Sequence, residues 1–575
     1  MNRSRLHGRT ALLLAAAAAL LTTLPVIYGL ALTPRGSLFL WSEDPYDNNT
    51  YFAKMRPGYR GEWLTTNLYS SAPHQPVFLF PFHVLMGHAA RGYCALLTAL
   101  GPAAPPIYSL FPVVYNAIRI MLVVALVFLI YWLAGMMTAR PAARLWMTAL
   151  AVFAGGWGRT CNTEAHILKA CVYYPNFTVS LVFYVMVCGA FMMAMRRAPK
   201  QWHAVALAAA GGFGLAWVHP FDVLPLGVMS AVALAWRWRM TQRFPGALFT
   251  ALAGFSALAA APIGYQMHVK SGEVMWQVID AQNWLKWDPW YEWLPMLDVY
   301  LAAGLLGAAS LWPRRRRPEA MFVMVWVLAG LAMINLPVLF QRRMIEGLPL
   351  GLAFAVGMGI EAGLLPRLGR GRRKGCVKGT DEHGTARTGE GGGGRPAPRR
   401  ALRRLRHWTH ALVFALLAPR TVWVLYDASL GAFDPASAEQ YVPAAEVAAM
   451  EWLAAHGRPG DVVWAGPERS NVIPFLAGLR VFYGHDVETA WSVENRLRTE
   501  RLFGGDMEVG GAEFQAIVQR AEIKFLYYGP LERALSPSPL GVFDPARLGR
   551  PAYDNGVVRI YRLPALIPWA GRSGP

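Results

Sequence analysis

The chain has 575 residues, of which 55% are hydrophobic and only 16% are charged, and its formal net charge is +20. A soluble globular protein carries more charge than this, and repeated apolar runs of about 20 residues are long enough to cross a bilayer core of roughly 30 Å. The basic residues lie in short loops between those runs, where the positive-inside rule explains them. The composition therefore excludes a soluble globular protein and argues against nucleic acid as a partner.

The first apolar run covers residues 10–32 and follows a basic N-terminal segment. It is longer than the hydrophobic part of a secretory signal peptide, and no small-residue cleavage site follows at the usual distance. We therefore expect a retained signal anchor with its N-terminus in the cytoplasm.

Further apolar runs follow in chain order, and their short basic ends lie on one side of the membrane. They cover residues 108–137, 146–158, 176–195, 202–218, a run that ends before Arg237, 244–267, a run that ends before Arg314, 321–340, a run that ends near residue 365, and 407–426. This pattern predicts about eleven transmembrane helices. Arg119 falls inside the second span and must face protein or water.

The same pattern divides the chain into two predicted domains. Residues 1–427 form the transmembrane domain, with a first external loop at 34–107 and a Gly-rich basic cytoplasmic loop, expected to be disordered, at 366–406. Residues 428–575 read as a soluble external α/β domain, because predicted strands alternate with helices around a largely parallel sheet. The predicted strands are 461–465, 480–483, 523–528 and 557–562, and the predicted helices are 444–456, 488–503 and 511–520.

The first external loop gathers ionisable and aromatic residues directly after the first span. Its carboxylates, Glu43, Asp44 and Asp47, precede a basic and aromatic stretch. Ionisable groups at a membrane surface favour a functional role. The alternative is an ordinary solvated loop, in which Asp47 caps the following helix.

The order of motifs in this loop resembles a known family. Asp47-Asn48-Asn49-Thr50-Tyr51, then Gly61-Glu62-Trp63-Leu64, then Pro76 and an aromatic-rich helix ending at Met86-Gly87 resemble the first external loop of the GT-C glycosyltransferases. The branch is the bacterial one related to protein mannosyltransferases and aminoarabinose transferases. The family's Asp-Glu pair is incomplete here, since Asn48 follows Asp47.

The resemblance implies a mainly α, polytopic GT-C-like fold and a bacterial cytoplasmic (inner) membrane location. The positions of the basic loops predict that the C-terminal domain is external. It further implies transfer of a sugar from a polyprenyl-phosphate donor to a lipid, glycan or protein acceptor at the external face. The alternative from another class is a non-catalytic transporter or envelope-assembly scaffold with the same architecture. No internal repeat is evident, which counts against the transporter.

The site residues follow from this chemistry. The base that takes the acceptor proton is expected to be Asp47, the residue matching the family's Asp, with Asp44 and Glu43 as alternatives. Arg342 and Arg343 lie at an external helix exit, against the positive-inside rule, so they are expected to hold the donor phosphate, with Lys270 as a weaker candidate. The alternative is that the two arginines pair with Glu346 and with lipid headgroups. Replacing both arginines by Gln is expected to leave the protein folded. The groove for acceptor or donor is expected to include Tyr51, His74, His219, Asp222 and Trp284.

The sequence gives little basis for a metal ligand. The spacing of His219 and Asp222 fits a metal pair, but two residues at a helix turn are weak evidence. We therefore predict no metal ligand and leave a divalent metal open as a cofactor. The cysteines show no metal-ligand spacing, and a bridge between Cys161 and Cys171 stays open beside free thiols.

Overall fold

The structure is a computed structural model, and it describes residues 3–40, 44–101, 104–159, 161–196, 201–287, 289–366, 397–431, 433–435, 437–535 and 543–563. Glu43 and residues 367–396 of the predicted basic loop lie outside these ranges. Residues 397–406, which the sequence analysis places in that loop, begin the helix Ala397–Leu417.

A helix occupies each predicted transmembrane span, which confirms the mainly α fold. These helices are Arg3–Ala31, Ile107–Met137, Pro141–Phe153, Pro175–Met195, Gln201–Val218, Val223–Thr241, Gly246–Gly272, Trp293–Ser310, Pro318–Met333, Leu348–Gly359, and the pair Ala397–Leu417 and Pro419–Tyr426.

Within the described residues, six helices are long and apolar enough to cross a membrane, and a pair bent by 42° near Ala418 makes up to seven. Pro141–Phe153 and Pro318–Met333 are apolar but shorter than 18 residues. The predicted count of about eleven is larger because it includes helices that are too short or too polar for this test. The chain is a multi-pass membrane protein.

The chain divides into two compact units. The first comprises Met1–Thr23, Arg119–Pro262 and Leu285–Asp427. Its helix Pro175–Met195 is largely buried among its neighbours. Arg119 is 1% exposed and donates hydrogen bonds to the carbonyl oxygens of Thr22 and Cys171, at 2.7 and 3.0 Å. This arginine therefore faces protein, as its place inside a span predicts.

The second unit comprises Leu24–Ile118, Ile263–Trp284 and Ala428–Pro575. Its strands, numbered in chain order, are β1 (Ser37–Phe39), β2 (Tyr441–Pro443), β3 (Val462–Trp464), β4 (Arg480–Val481), β5 (Ile523–Tyr528), β6 (Tyr553–Asp554) and β7 (Arg559–Arg562). Its C-terminal helices are Ala444–His456, Pro467–Leu476, Ser492–Phe503, Ala512–Arg520 and Pro530–Ala534. β1 and β2 pair with each other, and the other five strands form one sheet in the order β4-β3-β5-β7-β6.

This sheet is mixed, whereas the sequence predicts a largely parallel one. β3 runs parallel to β4 and β5, but β7 is antiparallel to both β5 and β6. A parallel strand needs a long crossover, usually helical, between it and its neighbour. The last two strands are instead joined by a short turn with Gly556 at a φ of 82°, which makes a hairpin.

The predicted first external loop packs into the core of this second unit. The helices Pro45–Arg60 and Pro81–Leu100 approach so closely that a Cβ added at Gly58 or Gly87 would overlap backbone of the other helix. Phe52 meets the ring of Phe475 at 4.8 Å. The loop at 34–107 and the residues after 428, which the sequence analysis assigns to different domains, therefore share one hydrophobic core.

Candidate functional site

The helix Pro45–Arg60 begins with two aspartates that have different positions. Asp44 is the N-cap, and its Oδ1 accepts a hydrogen bond from the backbone N–H of Asp47 at 3.4 Å. Asp47 lies in the first turn of the helix. The capping role that the sequence left open for Asp47 is therefore filled by Asp44.

One face of this helix carries Asp47, Tyr51 and Lys54, because residues four and three apart lie above one another on a helix. The ring of Tyr51 stacks on His83, with centroids 4.7 Å apart. The Lys54 ammonium lies 4.0 Å from the ring centre of Phe80. A carboxylate, a phenol and an ammonium thus follow one another along a single face.

The segment after β4 supplies a partner for the carboxylate of Asp47. His485 Nε2 lies 3.0 Å from Asp47 Oδ1. The Nδ1 atom of His485 accepts hydrogen bonds from the backbone N–H groups of Val487 and Glu488, at 3.1 and 3.2 Å. The imidazole proton is therefore on Nε2, which donates to Asp47. His485 is 4% exposed, whereas the side chain of Asp47 is 40% exposed, so the carboxylate is oriented and still open to solvent.

The same segment supplies a partner for Lys54. Its Nζ lies 2.6 Å from Glu488 Oε1, and both side chains are mostly buried. Burial alone would raise the pKa of Glu488, but the charge and hydrogen bond of Lys54 outweigh burial and hold that pKa below its ordinary value. The carboxylate of Glu488 is thus charged and fully committed to Lys54, and Asp47 is the more accessible of the two.

A cavity of about 160 Å³ opens beside this segment and is lined by Tyr46, Asn471, Tyr483, Asp486 and Arg496 among others. The ring of Tyr46 stacks on His485 at 4.3 Å. The cavity is smaller than the ~300–1,000 Å³ of a typical ligand pocket. It leaves room beside the segment but does not hold a whole substrate.

The remaining predicted residues of the second unit have other surroundings. His74 donates from Nδ1 to the carbonyl oxygen of Ala72 and accepts at Nε2 from the backbone N–H of Asn67, so both ring nitrogens brace their own loop. Lys270 forms an exposed ion pair with Asp280 at 2.7 Å. Trp284 is 60% exposed.

In the first unit, Arg343 forms an ion pair with the buried carboxylate of Glu164, and its guanidinium lies 5.5 Å from the ring centre of Phe177. Burial alone would raise the pKa of Glu164, but Arg343 holds it below its ordinary value. The neighbouring Arg342 is half-buried, its Nε is buried without a hydrogen-bond partner, and no ion pair is found for it among the described residues. Its charge contributes, less than that of Arg343, to the lowered pKa of Glu164. Its backbone N–H donates to the carbonyl oxygen of Leu285. Of the two arginines, Arg342 is the one able to accept an anionic ligand without losing a partner.

The first unit also brings His219 and Asp222 together and adds Glu346 to them. His219 Nδ1 lies 2.9 Å from Asp222 Oδ2 and 3.0 Å from Glu346 Oε2. One ligand atom from each of the three residues lies within 4.8 Å of the others, and all three residues are buried. These groups could hold a metal ion. The ion pairs found among the described residues join Glu346 to His219 and Arg343 to Glu164.

Sequence reasoning missed His485, Glu488 and Glu346 as members of these sites. His485 and Glu488 follow the carboxyl end of β4, a parallel strand, and such ends are where side chains of a site collect. The sequence pattern assigns Glu488 to a predicted helix at 488–503, and this assignment hides its position in the loop after β4. The helix of the structure begins only at Ser492.

No protein-family model matches this chain, and no curated protein matches it either. Among solved structures, the Archaeoglobus fulgidus oligosaccharyltransferase AglB, tethered to an acceptor peptide with an NVT sequon, is 11% identical with a TM-score of 0.50, over 90% of this chain and 69% of that one. The complex of AglB with an inhibitory peptide and a dolichol-phosphate has the same identity, coverage and TM-score. ArnT from Cupriavidus metallidurans bound to undecaprenyl phosphate is 12% identical with a TM-score of 0.48, over 96% of this chain and 97% of that one.

The likeness to AglB shows a shared fold. The chain therefore shares its fold with AglB, which agrees with the fold that the resemblance of the predicted first external loop implies.

Proposed function

We propose that the chain is a glycosyltransferase of the cytoplasmic membrane of a bacterium. It transfers a sugar from a polyprenyl-phosphate donor to a lipid, glycan or protein acceptor at the external face. The GT-C fold supports this proposal, and AglB, which shares that fold, has been solved with a dolichol-phosphate and with acceptor peptide.

The observation that carries the proposal is the geometry of Asp47. Its carboxylate is accessible, and the Nε2–H of His485 fixes its orientation. In the proposed reaction, the acceptor oxygen forms a bond to the anomeric carbon while its proton passes to Asp47. The bond between that carbon and the phosphate oxygen breaks, and the polyprenyl phosphate leaves with the electron pair. A positioned base of this kind contributes about 10²–10⁴-fold to the rate.

The leaving phosphate requires a cation. We assign this role first to Arg342, whose guanidinium is not committed to an internal ion pair, since a guanidinium can bind phosphate oxygens in a bidentate manner. Arg343 and Lys270 complete the proposed set, although Glu164 and Asp280 already pair with them. Tyr51, His74, His219, Asp222 and Trp284 remain the proposed contributors to the acceptor or donor groove.

The proposal is tested in cells that lack the chain. Mass spectrometry of their lipids and envelope glycans should show that one glycosylated species is lost while its polyprenyl-linked sugar accumulates. Expression of the wild-type chain should restore the species, and expression of the Asp47→Asn variant at equal abundance should not. Restoration by the variant would favour a non-catalytic scaffold, and an unchanged set of lipids and glycans would contradict the proposal.

A further inference from the structure

The cluster formed by His219, Asp222 and Glu346 places two buried carboxyl groups beside a single imidazole, which cannot neutralise both of them. Their side chains are 7%, 0% and 0% exposed. Two carboxylates and one imidazole must therefore share the available protons away from water, where an uncompensated charge is unfavourable. Among the described residues, no lysine or arginine forms an ion pair with Asp222 or Glu346.

The hydrogen bonds of the cluster leave several polar atoms without a partner. Nδ1 of His219 can donate its single proton to only one of the two carboxylate oxygens near it. Within the described residues, His219 Nε2, Asp222 Oδ1 and Glu346 Oε2 are buried without a hydrogen-bond partner. Most buried polar groups in folded proteins do have a partner. A single ion that accepts electron pairs from an imidazole and two carboxylates would remove this deficit.

The spacing of the donor atoms fits such an ion. Bonds from a metal to nitrogen and oxygen ligands are about 2.0–2.2 Å long, so two ligands at right angles are about 3 Å apart. The separations from His219 Nδ1 to Asp222 Oδ2 and to Glu346 Oε2 are 2.9 and 3.0 Å. The atoms are thus already as far apart as neighbouring ligands of one ion.

The backbone around the cluster holds the three side chains in place. At the end of the helix Gln201–Val218, the backbone N–H of His219 donates to the carbonyl oxygen of Leu215 at 2.7 Å. The backbone N–H of Asp222 donates to the carbonyl oxygen of His219 at 3.2 Å. On the other side, Trp326 Nε1 donates to the carbonyl oxygen of Gly347 at 3.0 Å, directly after Glu346. Both segments are therefore fixed before any ligand arrives.

A hydroxyl orients one of the carboxylates. Ser180 donates a hydrogen bond to Glu346 Oε1, which leaves Oε2 directed at His219. Outer partners of this kind are typical of metal ligands, since they set the direction of the first ligand's free electron pair.

We propose that His219, Asp222 and Glu346 bind one divalent transition-metal ion, with Ser180 orienting Glu346. One nitrogen and two carboxylate ligands suit Zn²⁺ or Mn²⁺. Three protein ligands also leave coordination positions for water or for an anionic ligand such as a phosphate. The proposal stands independently of glycosyl transfer, because it concerns ion binding alone.

The test uses the full-length chain purified in detergent, treated with a chelator and then dialysed against Mn²⁺ or Zn²⁺. Elemental mass spectrometry should find one ion per chain, and Asp222→Asn and Glu346→Gln should each weaken binding by at least about 100-fold. The matched control is Glu361→Gln, because the Glu361 carboxylate also lies beside a histidine, His410 at 3.3 Å, but is compensated by Arg140. This variant should bind as the wild type does.

A measurement on the wild-type chain covers the case in which a variant fails to fold. Pulsed electron paramagnetic resonance of bound Mn²⁺ should show coupling to an imidazole ¹⁴N nucleus, the signature of His219. The proposal is overturned if no ion is retained, if bound Mn²⁺ shows no ¹⁴N coupling, if a folded Asp222→Asn chain binds as tightly as the wild type, or if Glu361→Gln loses the ion equally.

Discussion

Replacement of Arg343 by Gln should destabilise the first unit, whereas the same change at Arg342 should not. Arg343 forms an ion pair with Glu164, whose side chain is only 3% exposed, and the side chain of Arg343 itself is 25% exposed. Gln at position 343 leaves the carboxylate of Glu164 buried without a counter-charge. Arg342 forms no ion pair within the part of the chain that the structure describes, and its charge contributes least among the causes of the lowered pKa of Glu164. The sequence alone predicts that both arginines can be replaced without loss of folding, whereas the ion pair of Arg343 leads us to expect this for Arg342 only.

The size of the effect follows from the burial of the pair. Breaking a buried ion pair by removing one partner costs about 3–5 kcal/mol, and the partial exposure of Arg343 favours the low end, about 3 kcal/mol. The pKa of Glu164 in the folded chain lies below its ordinary value, with burial opposing and Arg343 producing the shift. The stabilisation is thus present above the unfolded-state pKa of Glu164 and is lost as the pH falls through its lower, folded-state pKa.

The assay is thermal unfolding in detergent at neutral pH for Arg343→Gln, Glu164→Gln, the double variant, and Arg342→Gln as the control. The two single changes at the pair should each lower the unfolding temperature, and the double variant should be more stable than the sum of the two effects predicts. Strictly additive losses, or an equal loss in Arg342→Gln, would refute the assignment of Arg343 to this ion pair.

Two further predictions concern the second unit. Gly87→Ala should destabilise it by about 1–3 kcal/mol, because the added Cβ overlaps backbone of the helix Pro45–Arg60. The control is Gly92→Ala, on the same helix as Gly87, whose Cβ has no atom within 4 Å and which should be neutral or stabilising. Equal thermal stability of the two variants would contradict the close packing of the helices. Lys54→Met should remove the stabilisation that is linked to the lowered pKa of Glu488, so the variant should be less stable than the wild type at neutral pH. The wild type should lose stability as the pH falls through that pKa, whereas the stability of the variant should change less. Parallel profiles of stability against pH would contradict this prediction.

Much of the transmembrane architecture could be predicted from the sequence, because apolar length and the positions of basic residues are local properties. Each predicted span contains a helix, and Arg119, isolated in an apolar run, is buried against backbone carbonyl groups. The helix Ala444–His456 and the strand Ile523–Tyr528 have the predicted bounds, since the first has an amphipathic pattern and the second is an apolar run interrupted only by Lys524.

The partners in the candidate sites could not be predicted, because they depend on contacts between distant parts of the chain. Asp47 was singled out from its motif, but His485 reaches it only after β4 and the helix Pro45–Arg60 are packed in one unit. Likewise Glu346 joins His219 only through the packing of the first unit. The spacing of residues along the sequence does not show which distant residues will come into contact. The sequence can therefore indicate candidate site residues but not their partners.

The most direct test of the account is the activity of Asp47→Asn beside that of Asp44→Asn, each measured together with thermal stability. The reaction is followed with membranes of the deletion strain as the source of donor and acceptor, to which the purified chain is added. Asn at position 47 can still accept the hydrogen bond from His485 but is no longer a base, so turnover should fall at least about 10²-fold at unchanged stability. Asn caps a helix about as well as Asp, so Asp44→Asn should keep both properties. Full activity of a stable Asp47→Asn chain would contradict the proposed role of Asp47 as the base.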